Sequence, residues 1–94
     1  MKELHSDLIY HLDSAKKLAE SNLKILSSRK LEMDTAIKEH TESIRLLRSE
    51  KQFVPTKIRQ DRSNFAILSN SLFLDMAVIR VLIENLETAI KKLK

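Results

Sequence analysis

Three histidines, His5, His11 and His40, are the side chains of this sequence best suited to metal binding or proton transfer. His5 and His11 are six residues apart, whereas two ligands on one helical face need a spacing of three or four residues. Asp7 and His11 do have the i,i+4 spacing, and we interpret them as a surface ion pair. His40 falls on a predicted helix-packing seam, which favours a packed ring over a pH sensor. The histidines therefore predict no metal site.

The other residue types that carry chemistry are missing or scattered. The chain has no Gly and no Cys, so it can form neither a glycine-rich phosphate loop nor a thiolate site. The carboxylates are dispersed rather than paired, and no Ser-His-Asp order points to a nucleophile. A small helical chain without pocket-forming loops has little room for a catalytic cleft. We predict a protein that is not an enzyme and needs no cofactor.

The composition points to a single all-α domain spanning residues 1–94. There is one Pro, 43% of the residues are hydrophobic and 32% are charged, with a formal net charge of +4. Hairpin turns in sheets depend on Gly or on Asn-Gly and Asp-Gly pairs, none of which occurs here. Acidic and His residues interrupt the first segment, so we expect neither a signal peptide nor a mitochondrial presequence. The expected location is intracellular, either cytoplasmic or nuclear.

Pro55 marks the strongest break in the chain, because proline disfavours α conformation in the residue before it. We predict a helix over 3–51, a turn over 52–56 and a helix over 57–93, with Thr56 as the cap of the second helix. The pair would form a long antiparallel, coiled-coil-like hairpin. A break at 27–29 is the alternative, and it would give a three-helix bundle of 3–26, 30–51 and 57–93.

A 4-3 spacing of mostly apolar residues supports the hairpin. The predicted seam of the first helix consists of Leu8, Leu12, Ala15, Ala19, Asn22, Leu26, Arg29, Met33, Ala36, His40 and Leu47. The predicted seam of the second helix consists of Phe65, Leu68, Leu72, Asp75, Ile79, Leu82, Leu86, Ala89 and Leu93. Folding the chain at Val54 would place residues opposite each other when their numbers add up to about 108, so that His40 faces Leu68.

More apolar surface is present than one facing helix can cover, which predicts a protein partner. Residues 3–14 would extend beyond the second helix, and that helix carries a second apolar stripe. The predicted partner interface consists of Leu4, Leu8, Leu12, Ile67, Leu74, Val78 and Val81. The predicted function is a non-enzymatic interaction module that completes a helical bundle with a second copy or with another helical subunit of a complex or scaffold.

The segment from Phe65 to Ile83 is apolar enough to raise the question of a membrane span. Asp75 and Arg80 lie within it, and each would cost roughly 2.5–3.5 kcal/mol at the centre of a bilayer. A helix buried in protein on most sides also explains such a stretch. From the sequence we therefore expect no transmembrane segment.

Basic residues concentrate around the turn and suggest a second function. The predicted basic tip consists of Arg45, Arg48, Lys51, Lys57, Arg59 and Arg62. In this alternative the chain is a monomeric three-helix bundle whose tip binds an acidic ligand, which could be nucleic acid, an anionic lipid or an acidic protein such as tubulin. A solvated charged turn that only keeps the protein soluble would give the same pattern.

Overall fold

The part of the chain that the structure describes is helical apart from the turn between its two helices and the last residue. The computed structural model describes the backbone of residues 2–94 and the side chains of residues 4–94. Helix α1 spans Lys2–Ser49 and helix α2 spans Thr56–Leu93. Helix α1 is continuous through residues 27–29, so the described chain has two helices rather than three. No strand occurs between residues 2 and 94.

The chain divides into two compact units, each containing part of both helices. The turn unit is Ser27–Leu74, and it includes the connection between the helices. The terminal unit combines Met1–Leu26 with Asp75–Lys94.

The turn between the helices is a Schellman C-cap without glycine. Lys51 adopts a left-handed conformation with φ of 57°. The Lys51 amide donates to the Arg48 carbonyl at 3.0 Å, and the Gln52 amide donates to the Leu47 carbonyl at 2.8 Å. These two bonds satisfy carbonyls that the end of α1 would otherwise leave unpaired. The sequence prediction placed the helix end at residue 51, two residues beyond Ser49, because no glycine marks this cap.

In the turn unit each helix has a packing seam of residues that are less exposed than most of their neighbours, and on α1 this seam repeats with 4-3 spacing. On α1 they are Lys30, Met33, Ile37, His40, Ile44 and Leu47, and on α2 they are Ile58, Phe65, Ser69 and Leu72. Val54 of the turn is also buried. The side chains of the seam are mostly half-buried, so the packing protects one face of each helix and leaves the other exposed.

The terminal unit has the same kind of seam. On α1 it contains Ile9, Leu12, Lys16, Ala19, Leu23 and Leu26, and on α2 it contains Met76, Ile79, Ile83, Leu86, Ile90 and Leu93. Ala19 and Met76 are its most buried members. Lys16 of this seam forms an ion pair with the exposed Glu87 of α2, with 3.4 Å between nitrogen and oxygen.

The seam differs from the predicted one at every second position. The predicted residues Leu12, Ala19, Met33 and Leu72 are on it, whereas the predicted seam residue Asp75 is exposed and its neighbour Met76 is buried. The reason is that each apolar stripe is wide enough to fit two different heptad assignments. The predicted and observed seams have every second residue in common, and each of the remaining seam residues is shifted by one position along the chain.

Cross-helix contacts in the turn unit also give a different register. The His40 ring lies edge-on to Phe65 with 5.4 Å between centroids, and Ser69 bonds to Asp34. The residue numbers in these two pairs add up to 105 and 103, whereas the predicted register requires a sum of about 108. His40 therefore contacts a residue one helical turn before Leu68, because α1 ends earlier than predicted and the cap reverses the chain sooner.

The expectation of no transmembrane segment is wrong. Helix α2 has 38 residues and contains an 18-residue window that is apolar enough to cross a membrane, and only 11% of that window is buried. A span needs about 20 mainly apolar residues, and a window of this kind tolerates two charges. The sequence argument explained the stretch by burial in protein, but one neighbouring helix covers only one side of α2.

Candidate interaction surfaces

The outward face of α2 carries the predicted second stripe, and all four of its predicted members are exposed. Ile67 and Leu74 of the turn unit are 66% and 63% exposed, and Val78 and Val81 of the terminal unit are 69% and 55% exposed. We call these four residues the α2 outer stripe. Their large exposed fractions mean that their own unit does not use them for packing.

The α2 outer stripe has the spacing of a helix-packing seam. With Ser71 and Asn85 it continues as 67, 71, 74, 78, 81 and 85, an alternation of four and three residues on a continuous helix. Between residues 64 and 79, Asp75 is the only charged residue. This face therefore combines coiled-coil periodicity with apolar side chains and little charge.

The N-terminal part of the predicted interface is divided between exposed and packed positions. Leu4 and Leu8 are exposed, whereas Leu12 is half-buried in the seam of the terminal unit. Leu12 therefore already has an intramolecular packing role, and the free apolar surface of this segment consists of Leu4, Leu8 and the exposed Tyr10.

Several exposed apolar residues were not part of the predicted interface. On α2 they are Leu68, Phe73 and Leu82, which flank the α2 outer stripe. Elsewhere they are Leu18, Ile25, Leu31, Leu46 and Phe53. The apolar character of the α2 residues is evident from the sequence, but Leu68 and Leu82 were predicted to lie on the intramolecular seam instead of on the exposed surface.

Four of the six predicted basic tip residues surround one groove in the turn unit. Arg45 and Arg48 of α1 face Arg59 and Arg62 of α2 across a cavity of about 550 Å³, which Thr41, Ile44 and Ser63 complete. We call this cavity the arginine groove. No carboxylate lines it among the residues that the structure describes. Lys51 and Lys57, the other two predicted basic residues, are exposed but do not line the groove.

Two of the arginines are held in place by neighbouring side chains. Arg45 donates to both carboxylate oxygens of Glu42, with distances of 2.6, 3.1 and 3.2 Å. Arg62 donates through Nε to the Thr41 hydroxyl at 2.7 Å, which connects α2 to α1. Hydrogen bonding to Arg45 lowers the pKa of Glu42 below its ordinary value. Because Glu42 remains ionised, it holds the Arg45 guanidinium in one orientation.

A polar contact inside the turn unit lies on its packing seam. The buried Ser69 hydroxyl donates to Asp34 Oδ1 at 2.6 Å, and Lys30 donates to Asp34 Oδ2 at 2.6 Å. These bonds, first that of Lys30 and then that of Ser69, lower the pKa of Asp34. The Ser69–Asp34 contact was not predicted from the sequence, because Leu68 rather than Ser69 was placed on the predicted seam.

His40 has a packing contact and a bond to its own helix. Its Nδ1 donates to the Ala36 carbonyl at 2.8 Å, and its ring packs on Phe65. Within the described part of the chain, no three His, Cys, Asp or Glu residues are grouped closely enough to hold a metal ion.

Comparisons with known proteins give no family for this chain. No protein family matches its sequence, and we found no similar curated protein and no similar solved structure.

Proposed function

We propose that the protein is a non-enzymatic helical-hairpin interaction module that assembles with a second copy of itself through the α2 outer stripe. The observation that carries the proposal is the exposure of all four stripe residues on a face with 4-3 spacing. Apolar side chains that repeat in this way are buried when a second helix packs on them, and removal of apolar area from water drives such association.

The surface area of the chain supports this assembly. The accessible surface is 7426 Å², whereas a folded monomer of 10.9 kDa has about 5,600 Å². The excess of about 1,800 Å² is larger than the roughly 800 Å² that each partner buries in a standard protein interface. A second copy can therefore cover the α2 outer stripe and still leave polar surface in water.

The α2 outer stripe suits a second copy because little charge opposes its burial. Asp75 is the only charge between residues 64 and 79, and it lies beside the stripe rather than on it. Two hairpins that pack through α2 would form a four-helix arrangement, in which each apolar seam has a facing helix. The positive net charge of each chain, +4 in total, comes from residues outside this segment, to which Asp75 adds only a single negative charge.

Thiol protection gives a direct test, because the native chain contains no cysteine. Val78→Cys places a thiol on the stripe, and Leu31→Cys places one at an equally exposed position on α1. On raising the protein concentration, alkylation of Cys at position 78 should slow while alkylation at position 31 stays constant. Sedimentation equilibrium should show the mass rising from 10.9 kDa to twice that value over the same range. A chain that stays monomeric with both thiols equally reactive refutes self-assembly, and assembly with another helical subunit then becomes the hypothesis to test.

The apolar window of α2 supports a second candidate function, insertion of this helix into a membrane. In that case the α2 outer stripe contacts lipid, and Asp75 and Arg80 oppose insertion by roughly 2.5–3.5 kcal/mol each. The double variant Asp75→Asn/Arg80→Gln should then float with lipid vesicles more completely than the wild type. Self-assembly in water instead predicts that neither protein floats and that both sediment as the same oligomer.

A further inference from the structure

We propose that the arginine groove binds an anion that carries two or more linked phosphate groups. This inference is independent of the proposed self-assembly, because the groove lies in the turn unit and contains none of the α2 outer stripe residues. Of the six residues of the predicted basic tip, the proposed site uses the four that line the groove, which are Arg45, Arg48, Arg59 and Arg62. The site belongs to a two-helix fold rather than to the three-helix bundle of the predicted alternative.

The lining of the groove has the chemistry of a phosphate site. A guanidinium binds phosphate oxygens through two parallel N–H donors, and such charge-assisted bonds are stronger than neutral ones. The Ser63 hydroxyl adds a donor at the edge of the groove, and Ile44 provides an apolar contact. The Thr41 hydroxyl donates to the Ile37 carbonyl at 2.8 Å and accepts from Arg62, so it positions Arg62 rather than the ligand. A volume of about 550 Å³ is in the range of small-molecule sites.

The number of arginines indicates more than one phosphate group. A phosphate monoester carries a charge of about −1.5 to −2 at neutral pH, which two arginines neutralise. The groove has four, and Glu42 offsets only the charge of Arg45, from outside the lining. Neither Arg48 nor Arg59 takes part in an ion pair of the described residues, so both are available to a ligand.

Two of the arginines are already oriented in the absence of ligand. Glu42 holds Arg45, and the Thr41 hydroxyl holds Arg62 from the opposite helix. Side chains ordered beforehand lose less conformational entropy on binding, and this improves affinity without any new contact.

Calorimetric titration of the full chain with tripolyphosphate tests the proposal through two matched variants. Arg48→Gln/Arg59→Gln removes two positive charges from the groove, and Lys51→Gln/Lys57→Gln removes two from the same region outside it. The arginine variant should bind at least about tenfold more weakly than the wild type, and the lysine variant should stay within about twofold. An equal loss in both variants, or no binding by the wild type in low salt, overturns the proposal.

A second pair of variants keeps the test decisive if the arginine variant loses helical content. Ser63→Glu introduces a carboxylate into the groove and leaves every arginine in place, and Ser28→Glu makes the same change at an exposed position outside it. Only Ser63→Glu should abolish tripolyphosphate binding. If Ser28→Glu has the same effect, the binding is a response to net charge and the proposal is wrong.

Two further titrations identify the source of the phosphate groups. Binding to vesicles that contain phosphatidylinositol bisphosphate, reversed by free tripolyphosphate, would identify a lipid headgroup as the source. Binding of tripolyphosphate without vesicle binding would identify a soluble polyphosphorylated molecule. Binding of a single-stranded oligonucleotide without any binding of tripolyphosphate would overturn the proposal, because it would show recognition of a nucleic-acid backbone instead.

Discussion

Charged substitutions in the α2 outer stripe should dissociate the proposed two-copy assembly and leave the helices intact. Complete burial of a Leu or Val side chain contributes about 1.5–3 kcal/mol. Leu74 and Val78 are 63% and 69% exposed in the single chain, so about two thirds of that free energy is still available to a partner. Each side chain can therefore contribute about 1–2 kcal/mol to association.

The expected size of the effect follows from the symmetry of a dimer. The variant Leu74→Asp/Val78→Asp alters four side chains in a two-copy assembly, which removes about 4–8 kcal/mol of association free energy. The dissociation constant should rise by a factor of about a thousand or more. Burial of the new carboxylates would weaken association further.

Sedimentation equilibrium with circular dichroism measures both parts of this prediction. The single variant Leu74→Asp should weaken association by about 2–4 kcal/mol, because it occurs twice in the dimer. Leu31→Asp is the matched control: Leu31 is 68% exposed, but its neighbours three and four residues away are polar. The reasoning is refuted if the double variant sediments like the wild type, or if Leu31→Asp dissociates the assembly as strongly as Leu74→Asp.

Three further predictions concern the stability of the single chain, each measured by urea or thermal unfolding. Lys51→Gly should stabilise the protein by about 0.5–1 kcal/mol, because glycine adopts the left-handed cap conformation without steric cost. Lys38→Gly, at an exposed position in the interior of α1, should instead destabilise it by about 1 kcal/mol. The opposite order would contradict the Schellman cap. The pKa of the Asp34 carboxyl group is lowered in the folded state. Its ionised form should therefore stabilise the protein above about pH 4, and this contribution should disappear as the pH falls through the folded-state pKa. The stability difference between the wild type and Asp34→Asn should therefore narrow from pH 6 to pH 2.5, and a constant difference would exclude this linkage. Met76→Ala should lower the free energy of unfolding by about 2–4 kcal/mol, because Met76 is among the most buried side chains of the seam. A decrease of less than about 1 kcal/mol would show that the side chain at position 76 is not packed.

Much of the α2 outer stripe could be identified from the sequence. Ile67, Leu74, Val78 and Val81 repeat along the helix, and their apolar character exceeds what one packing face needs. The basic tip was also visible as a local concentration of charge. Its division into groove-lining arginines and outlying lysines was not visible, because that division depends on which turns of α1 and α2 lie opposite each other.

The composition and periodicity of the sequence determined the all-helical class and the position of the break at Pro55, since these depend only on local backbone preferences. Tertiary packing decided which of two adjacent heptad assignments became the seam, and so buried Ser69 and Met76 in place of Leu68 and Asp75. The register between the helices also depends on the local cap at Lys51, a left-handed conformation that no glycine in the sequence indicates. A broad apolar stripe permits several alignments, and only contacts between residues distant in the chain distinguish their free energies.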